Sequence, residues 1–281
     1  NFYRNAVHVI QAAALSASWS GRFPSDHLPF LAEVLIAPIC PLPQAHAHND
    51  YEHTRPLLDA LAQGFTSVEA DVWLIDSELY VSHDRPATNR RVSLKDTYLE
   101  PLARHIAANR HSVYPGYGAP FLLMIDLKNQ GAASYELLKK QLAPYVYLLD
   151  RVENGRHLPG PLKVFLSGDR PVELLVADAG KYVGIDGRPG DLGQGHDPQL
   201  MPVISEHFRK VVNWDGKGAM PESERQKLAA LATRVHSEGK RLRLWGAPDT
   251  EGVWASFHAC GVDLLNADDL GRLQRFLQDK E

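Results

Sequence analysis

Apolar runs alternate with amphipathic stretches along most of the chain. Runs at 44–48, 66–72, 78–82, 120–127, 162–167, 181–186, 203–212, 241–246 and 262–266 have the length and the polar boundaries expected of strands. Between several of them the apolar positions recur at helical spacing. In RPLLDALAQG (55–64) they fall at 57, 58, 61 and 62, and Gly64 suits a helix C-terminal cap. Residues 132–148 carry the same pattern. Pro221, at a first-turn position, opens a helix over ESERQKLAALATRVHSEG, with Gly239 as its stop. Residues 268–278 close the chain as an amphipathic helix with Leu270, Leu273, Phe276 and Leu277 on one face.

About eight strands with intervening helices predict parallel βαβ units. In roughly 240 residues the economical α/β solution is a TIM-like (β/α)8 barrel. An open doubly wound sheet is the alternative, but no GxGxxG follows the first strand. The barrel domain is expected over 44–281, beginning near Gln44. Residues 1–27 carry no clear strand or capped-helix signal. Residues 28–43 (LPFLAEVLIAPICPLP) combine a short apolar stretch with four prolines. The apolar part has the length of a signal h-region, although Asp26 and His27 stand where Lys or Arg is expected. Residues 1–43 are therefore expected to be an N-terminal arm or leader remnant. That segment suggests a secreted or periplasmic protein, a soluble cytoplasmic one being the alternative. The Gly/Pro/Asp-rich stretch 186–201 (DGRPGDLGQGHDPQLM) reads as a long functional loop.

Composition narrows the class. Hydrophobic residues make up 44% and charged residues 23%, which excludes a disordered or collagen-like chain. Lys and Arg number 30 against 34 Asp and Glu, so no basic excess points to nucleic acid or an anionic membrane as partner. No apolar run reaches the roughly 18 residues of a transmembrane segment. Two cysteines, Cys40 and Cys260, cannot build a disulfide framework.

Barrel enzymes carry their chemistry at the C-terminal ends of strands. The first predicted strand ends in His46-Ala47-His48-Asn49-Asp50-Tyr51, with two His at i and i+2 on one side. The second contains Glu69 and Asp71, also i and i+2. Two carboxylates aimed into a barrel mouth repel one another unless a cation lies between them. Oxygen ligands suit a divalent cation such as Mg²⁺ or Ca²⁺. The third predicted strand, 78–82, delivers His83 and Asp84, suited to proton transfer. The fourth ends in Asp126 and Lys128, a third oxygen ligand and a cation for a phosphate oxygen. Near the far end, Arg241-Leu242-Arg243-Leu244-Trp245 finishes a strand, and Trp245 is a candidate wall of the substrate pocket. Such a set suits phosphate ester cleavage: cation on the phosphoryl oxygens, one His as base and one as acid.

These residues resemble the phosphatidylinositol-specific phospholipase C-like phosphodiesterases, which include the glycerophosphodiester phosphodiesterases and sphingomyelinase D. The resemblance runs from about Gln44 to the end and is densest over 46–84. A strand-one His, a Glu-x-Asp pair and a following His-Asp map to His48, Glu69, Asp71, His83 and Asp84. A later acidic-x-Lys step matches Asp126 and Lys128, and VDLLNADDL is similar to the last strand and turn. HNDY, SVEADVWL and LYVSH look like a branch that includes bacterial proteins and fungal proteins named for altered inheritance of mitochondria. The resemblance implies a TIM-like barrel, a divalent cation and phosphodiester chemistry, and by itself no substrate; the expected reaction is hydrolysis of a glycerophosphodiester or phospholipid-like substrate. Departures are visible. Asn49-Asp50 replaces the Arg-Gly that follows the first His, so phosphate contacts are expected from Lys128 and Asn49. Asp126 stands where the third ligand is usually Glu.

Three questions stay open in the sequence. Either His46 or His48 is the catalytic group. The nucleophile is an internal hydroxyl, giving a cyclic phosphate, or water, giving a monoester. Two other readings compete: an amidohydrolase-like zinc site using His46 and His48 with His157, His207 and Asp268, and a non-catalytic barrel binding a phosphorylated ligand.

Overall fold

The computed structural model describes residues 7–14, 30–36, 39–178, 180 and 182–280. The chain divides into two compact units, Asn1–Cys40 and Pro41–Glu281. In the first, β1 (Val7–Ala14) pairs antiparallel with β2 (Phe30–Ile36), with a register shift between Val9 and Gln11. Val7–Ala14 is a strand within 1–27, where the sequence carries no clear strand signal.

The second unit contains β3 (Leu42–Ala47), β4 (Phe65–Ile75), β5 (Glu78–Val81), β6 (Phe121–Leu127), β7 (Arg151–Glu153), β8 (Arg156–Leu158), β9 (Leu162–Gly168), β10 (Val183–Gly187), β11 (Val203–His207), β12 (Arg241–Trp245) and β13 (Leu265–Ala267). Its helices are α1 (Leu58–Ala62), α2 (Glu100–Ala108), α3 (Gly131–Leu142), α4 (Val172–Ala177), α5 (Phe208–Val211), α6 (Glu222–Ser237), α7 (Glu251–Ala259) and α8 (Leu270–Gln278). Strands β3, β4, β6, β9, β10, β11 and β12 lie side by side in parallel, each next to its successor. β13 pairs with β3, and an Arg243–Leu264 bridge joins β12 to the segment leading into β13. The result is the nearly closed eight-stranded α/β barrel that the strand–helix alternation predicts.

Period-two alternation sorts each strand into two faces. On β4, Val68, Ala70 and Val72 are fully buried on the face away from Glu69 and Asp71. Leu122, Met124, Phe165, Val203 and Leu264 form one buried cluster. Toward the C-terminal ends the same face changes chemistry: Asp71 stands beside Asp126, and Asp126 beside Ser167. α8 buries Leu270, Leu273, Phe276 and Leu277, as its pattern predicts.

Two predicted strands are corrected. β5 is not a barrel stave; it folds back antiparallel on β4 through Asp76 and Ser77, both at positive φ (50° and 62°). A two-residue turn with both φ positive matches the twist of a hairpin, so the chain reverses instead of crossing over. The run 203–212 is a strand only to His207 and continues as α5. β7 and β8 form a short unpredicted hairpin. No helix among the described residues is long and apolar enough to cross a membrane.

Candidate active site

One cavity of about 390 Å³ opens at the C-terminal ends of the strands, lined by His48, Asn49, Glu69, Asp71, His83, Asp126, Lys128, Ser167, Gly168, Arg188, Arg243 and Trp245. His48, Asn49, Glu69, Asp71, His83, Asp126, Lys128 and Trp245, named from the sequence, are among them; Asp84 and His46 are not. Glu69 and Asp71 come from β4 and Asp126 from β6, held side by side by the parallel register. Each of these three offers an oxygen within 4.8 Å of the others. Gly168, at φ +68°, makes room for the third: a Cβ there would lie 2.5 Å from Asp126 Oδ1 and 2.4 Å from the Leu127 carbonyl.

The electrostatics are arranged around the carboxylates. Asp71 is buried, and its Oδ2 takes Lys128 Nζ at 2.8 Å, the Tyr51 hydroxyl at 2.8 Å and His83 Nδ1 at 3.0 Å. Its Oδ1 is buried without a hydrogen-bond partner among the described residues. A buried carboxylate oxygen left unpaired is costly, and a hard cation satisfies it. Lys128 also reaches Asp126 Oδ1 at 3.1 Å. Burial pushes the Asp126 carboxyl up despite Lys128, with Asp71 and Glu69 adding repulsion. Burial alone would raise Glu69 too, but Arg243, with Nη2 2.7 Å from Oε2, holds it well below the carboxylate range. The all-oxygen set of Glu69, Asp71 and Asp126, with its unpaired Oδ1, fits a hard divalent cation.

The two histidines of strand one separate cleanly. His46 is fully buried behind Glu69, its Nδ1 2.7 Å from Ser67 Oγ and its Nε2 3.6 Å from Glu69 Oε2. Burial, with Arg243 nearby, lowers its pKa to about 4. His48 instead lines the cavity, its Nδ1 2.8 Å from Asp268 Oδ1. Burial opposes charge on His48, yet the Asp268 bond and the Glu69 carboxylate outweigh it and raise the pKa. His83 arrives on the β5 hairpin rather than a barrel strand. Asn49, in a left-handed conformation at φ 47°, accepts the Tyr51 hydroxyl at 2.8 Å. Trp245 is partly exposed at the cavity wall, edge-on to His207 at 4.7 Å.

The further histidines that the rival zinc arrangement needs beside His46 and His48 are elsewhere. His157 pairs with Asp150 at 2.9 Å, and His207 stacks on Phe208; neither lines the cavity. Among the described residues Glu69, Asp71 and Asp126 are the one grouping able to hold a metal. Four lining residues were missed by sequence reasoning: Ser167, Gly168, Arg188 and Arg243. Arg243 had a signal, standing two residues before Trp245 on the same face of β12. Arg188 lies in the loop after β10, where no period applies.

A family model described as the AIM6-like phosphodiesterase domain matches residues 34–183. The altered inheritance of mitochondria protein 6 of Eremothecium gossypii is 31% identical, over 84% of this chain and 69% of that protein. The homolog from Arthroderma benhamiae is 28% identical, over 83% of this chain and 82% of that protein. The Saccharomyces cerevisiae protein is 25% identical, over 82% and 69%. Among solved structures, a glycerophosphodiester phosphodiesterase from Parabacteroides distasonis superposes with a TM-score of 0.52 at 15% identity, covering 84% of this chain and 97% of that one. That likeness is one of fold, and it is the same barrel. With the family model spanning more than half of the residues and a relative above 30% identity, the chain belongs to the AIM6-like phosphodiesterase domain family.

Proposed function

We propose that this chain hydrolyses a phosphoric diester, of the glycerophosphodiester or phospholipid-like kind, with a divalent cation as cofactor. The observation that carries the reading is a symmetry of support. His48 and His83 both line the cavity holding the three carboxylates, and each has Nδ1 against a carboxylate oxygen, Asp268 or Asp71. A carboxylate acceptor keeps the proton on Nδ1 and leaves Nε2 to exchange protons with substrate.

Glu69, Asp71 and Asp126 would hold Mg²⁺ or Ca²⁺, which supplies charge stabilisation at the phosphoryl oxygens. His48 Nε2 takes the proton of the nucleophile, water or a neighbouring substrate hydroxyl, as its oxygen bonds to phosphorus. The bond from phosphorus to the leaving oxygen breaks, and His83 Nε2 donates the proton that this oxygen needs. Asp71 and Asp268 keep the two rings in place through the change of charge. Lys128 and Arg243 are the cations beside the phosphoryl oxygens. Asn49 and Trp245 contact the substrate, the first through its amide and the second as an apolar wall. His46 supports Glu69 from behind.

The test is a substrate panel. Bis-p-nitrophenyl phosphate and glycerophosphocholine are offered beside p-nitrophenyl phosphate, a carboxylic ester and an amide, with Mg²⁺ or Ca²⁺ present. Cleavage of the diesters alone is expected. Cleavage of the ester or amide with both diesters intact would overturn the reading. ³¹P spectra of the product separate a cyclic phosphate from a monoester, and so an internal nucleophile from water.

A further inference from the structure

Three permanent cations line the cavity, and two are committed to its carboxylates. Lys128 bridges Asp71 and Asp126; Arg243 gives Nη2 to Glu69 and Nε to Asn266. Arg188 differs. All its side-chain hydrogen bonds among the described residues run through Nη1, to the Asp186 carboxylate at 2.8 Å, the Asp186 carbonyl at 3.1 Å and the Gly187 carbonyl at 2.9 Å. The edge formed by Nε and Nη2 has no protein partner among the described residues. That edge is the fork that binds a carboxylate or phosphate through two parallel hydrogen bonds.

The fork is held by a built support. Asp186 is fully buried and also accepts Ser167 Oγ at 2.9 Å and Ser205 Oγ. The Arg188 backbone N–H donates to Asp191 Oδ2 at 2.7 Å, closing the short turn Pro189–Asp191. Place in the barrel matters as much as chemistry. β3, which leads to His48, is the first of the eight staves, and β10, which leads to Arg188, is the fifth. In a closed ring the first and fifth staves are opposite. Ser167 lies on the wall between Asp126 and Asp186. Arg188 is thus across the mouth from His48, two staves past Asp126, where the portion of a substrate remote from the reacting phosphorus would lie. A cavity of about 390 Å³ is in the range that holds a whole small ligand, more than a phosphoryl group.

We propose that Arg188 is a specificity residue that reads a second anionic group, a carboxylate or phosphate monoester, on the non-reacting part of the diester. The inference rests on the phosphodiesterase reading above and names its substrate class. Diesters with a second negative charge are preferred over zwitterionic ones such as those bearing choline.

The experiment compares kcat/KM for glycerophosphoinositol 4-phosphate and glycerophosphoserine with that for glycerophosphocholine, at fixed salt and saturating Mg²⁺. Wild type, Arg188→Lys and Arg188→Gln are measured. The wild type should favour at least one anionic substrate, and which one tells phosphate from carboxylate. The Gln variant should lower that preference about 10- to 100-fold, the worth of a charge-assisted hydrogen bond. The Lys variant keeps the charge beside buried Asp186 and guards against misfolding; without a fork it should fall between the two. No anionic preference in the wild type would overturn the role of Arg188 while leaving the reaction standing. So would an equal fall on all three substrates, the mark of a merely structural arginine. Failure of the wild type to cleave any diester would overturn the reaction and this subsite together.

Discussion

Arg243 and Glu69 offer the sharpest quantitative test of how the site is held together. The two side chains are 3% and 9% exposed, and Arg243 Nη2 lies 2.7 Å from Glu69 Oε2. Replacing Arg243 by Met keeps much of the volume and removes the charge. Glu69 then stands buried beside Asp71 and Asp126 without its cation. Breaking one side of a buried pair costs about 3–5 kcal/mol, because the remaining charge has lost its compensation. For a domain of this size each kcal/mol moves the melting midpoint by about 2–4 °C, so a drop of roughly 6–20 °C is expected. The assay is thermal and urea unfolding of chelator-treated wild type, Arg243→Met, Glu69→Gln and the double variant. Groups in contact couple by about 0.5–3 kcal/mol in such a cycle. The double variant should therefore be more stable than the sum of the single losses predicts. Strictly additive losses, or a single variant as stable as wild type, would refute the view that Arg243 compensates the buried Glu69.

Three further outcomes follow from other contacts. Asp50 is buried, accepting Leu57 N–H at 2.5 Å and the Tyr98 hydroxyl at 2.8 Å, and burial outweighs both bonds and pushes its carboxyl up to about 7. The folded state therefore holds that proton more tightly than the unfolded state. The stability this gives is complete below about pH 4 and is lost as pH rises through about 7; melting curves of Asp50→Asn should lose that slope, and an unchanged slope would contradict the assignment. Gly168→Ala puts a methyl 2.5 Å from Asp126 Oδ1 at a positive φ. It should cost about 1–3 kcal/mol by denaturant unfolding and weaken the thermal stabilisation given by Mg²⁺. Asp268→Ala removes the partner of His48 Nδ1. It should lower kcat by less than the about 10²–10⁴-fold expected for loss of an acid–base group itself, and wild-type turnover would remove Asp268 from the account.

The barrel was legible because its strands repeat one physical rule. Glu69 and Asp71 at i and i+2 had to share a face, and the apolar Val68, Ala70 and Val72 had to face the other way; the structure has both. The same rule applied to Trp245 would have found Arg243. What escaped is what local period does not encode. His83 reaches the cavity because Asp76 and Ser77 adopt positive φ and turn β5 back on β4, a choice of backbone that neither residue type demands. The β7–β8 hairpin did carry a signal, Asn154-Gly155 with φ 51° and 73°, but only three residues pair on each side. α2 was hidden by Pro101, which cannot donate to the preceding turn; the chain enters it through a π turn over Lys95–Leu99. Arg188 depends on a loop whose shape is set by Asp186 and Asp191. The Gly/Pro/Asp-rich stretch 186–201 marked the loop as functional, but which of its side chains reaches the cavity is a tertiary fact.

The central claim is that three carboxylates hold a cation that diester cleavage requires. The measurement that meets it most directly is the rate of bis-p-nitrophenyl phosphate cleavage by chelator-treated protein, before and after addition of Mg²⁺ or Ca²⁺, for wild type and Asp71→Asn. Cleavage should be absent without the cation, recover in the wild type on adding it, and recover little in the variant, which loses the charge of the carboxylate whose buried Oδ1 has no partner among the described residues. Full activity in chelator, or full recovery in the Asp71 variant, would contradict the claim.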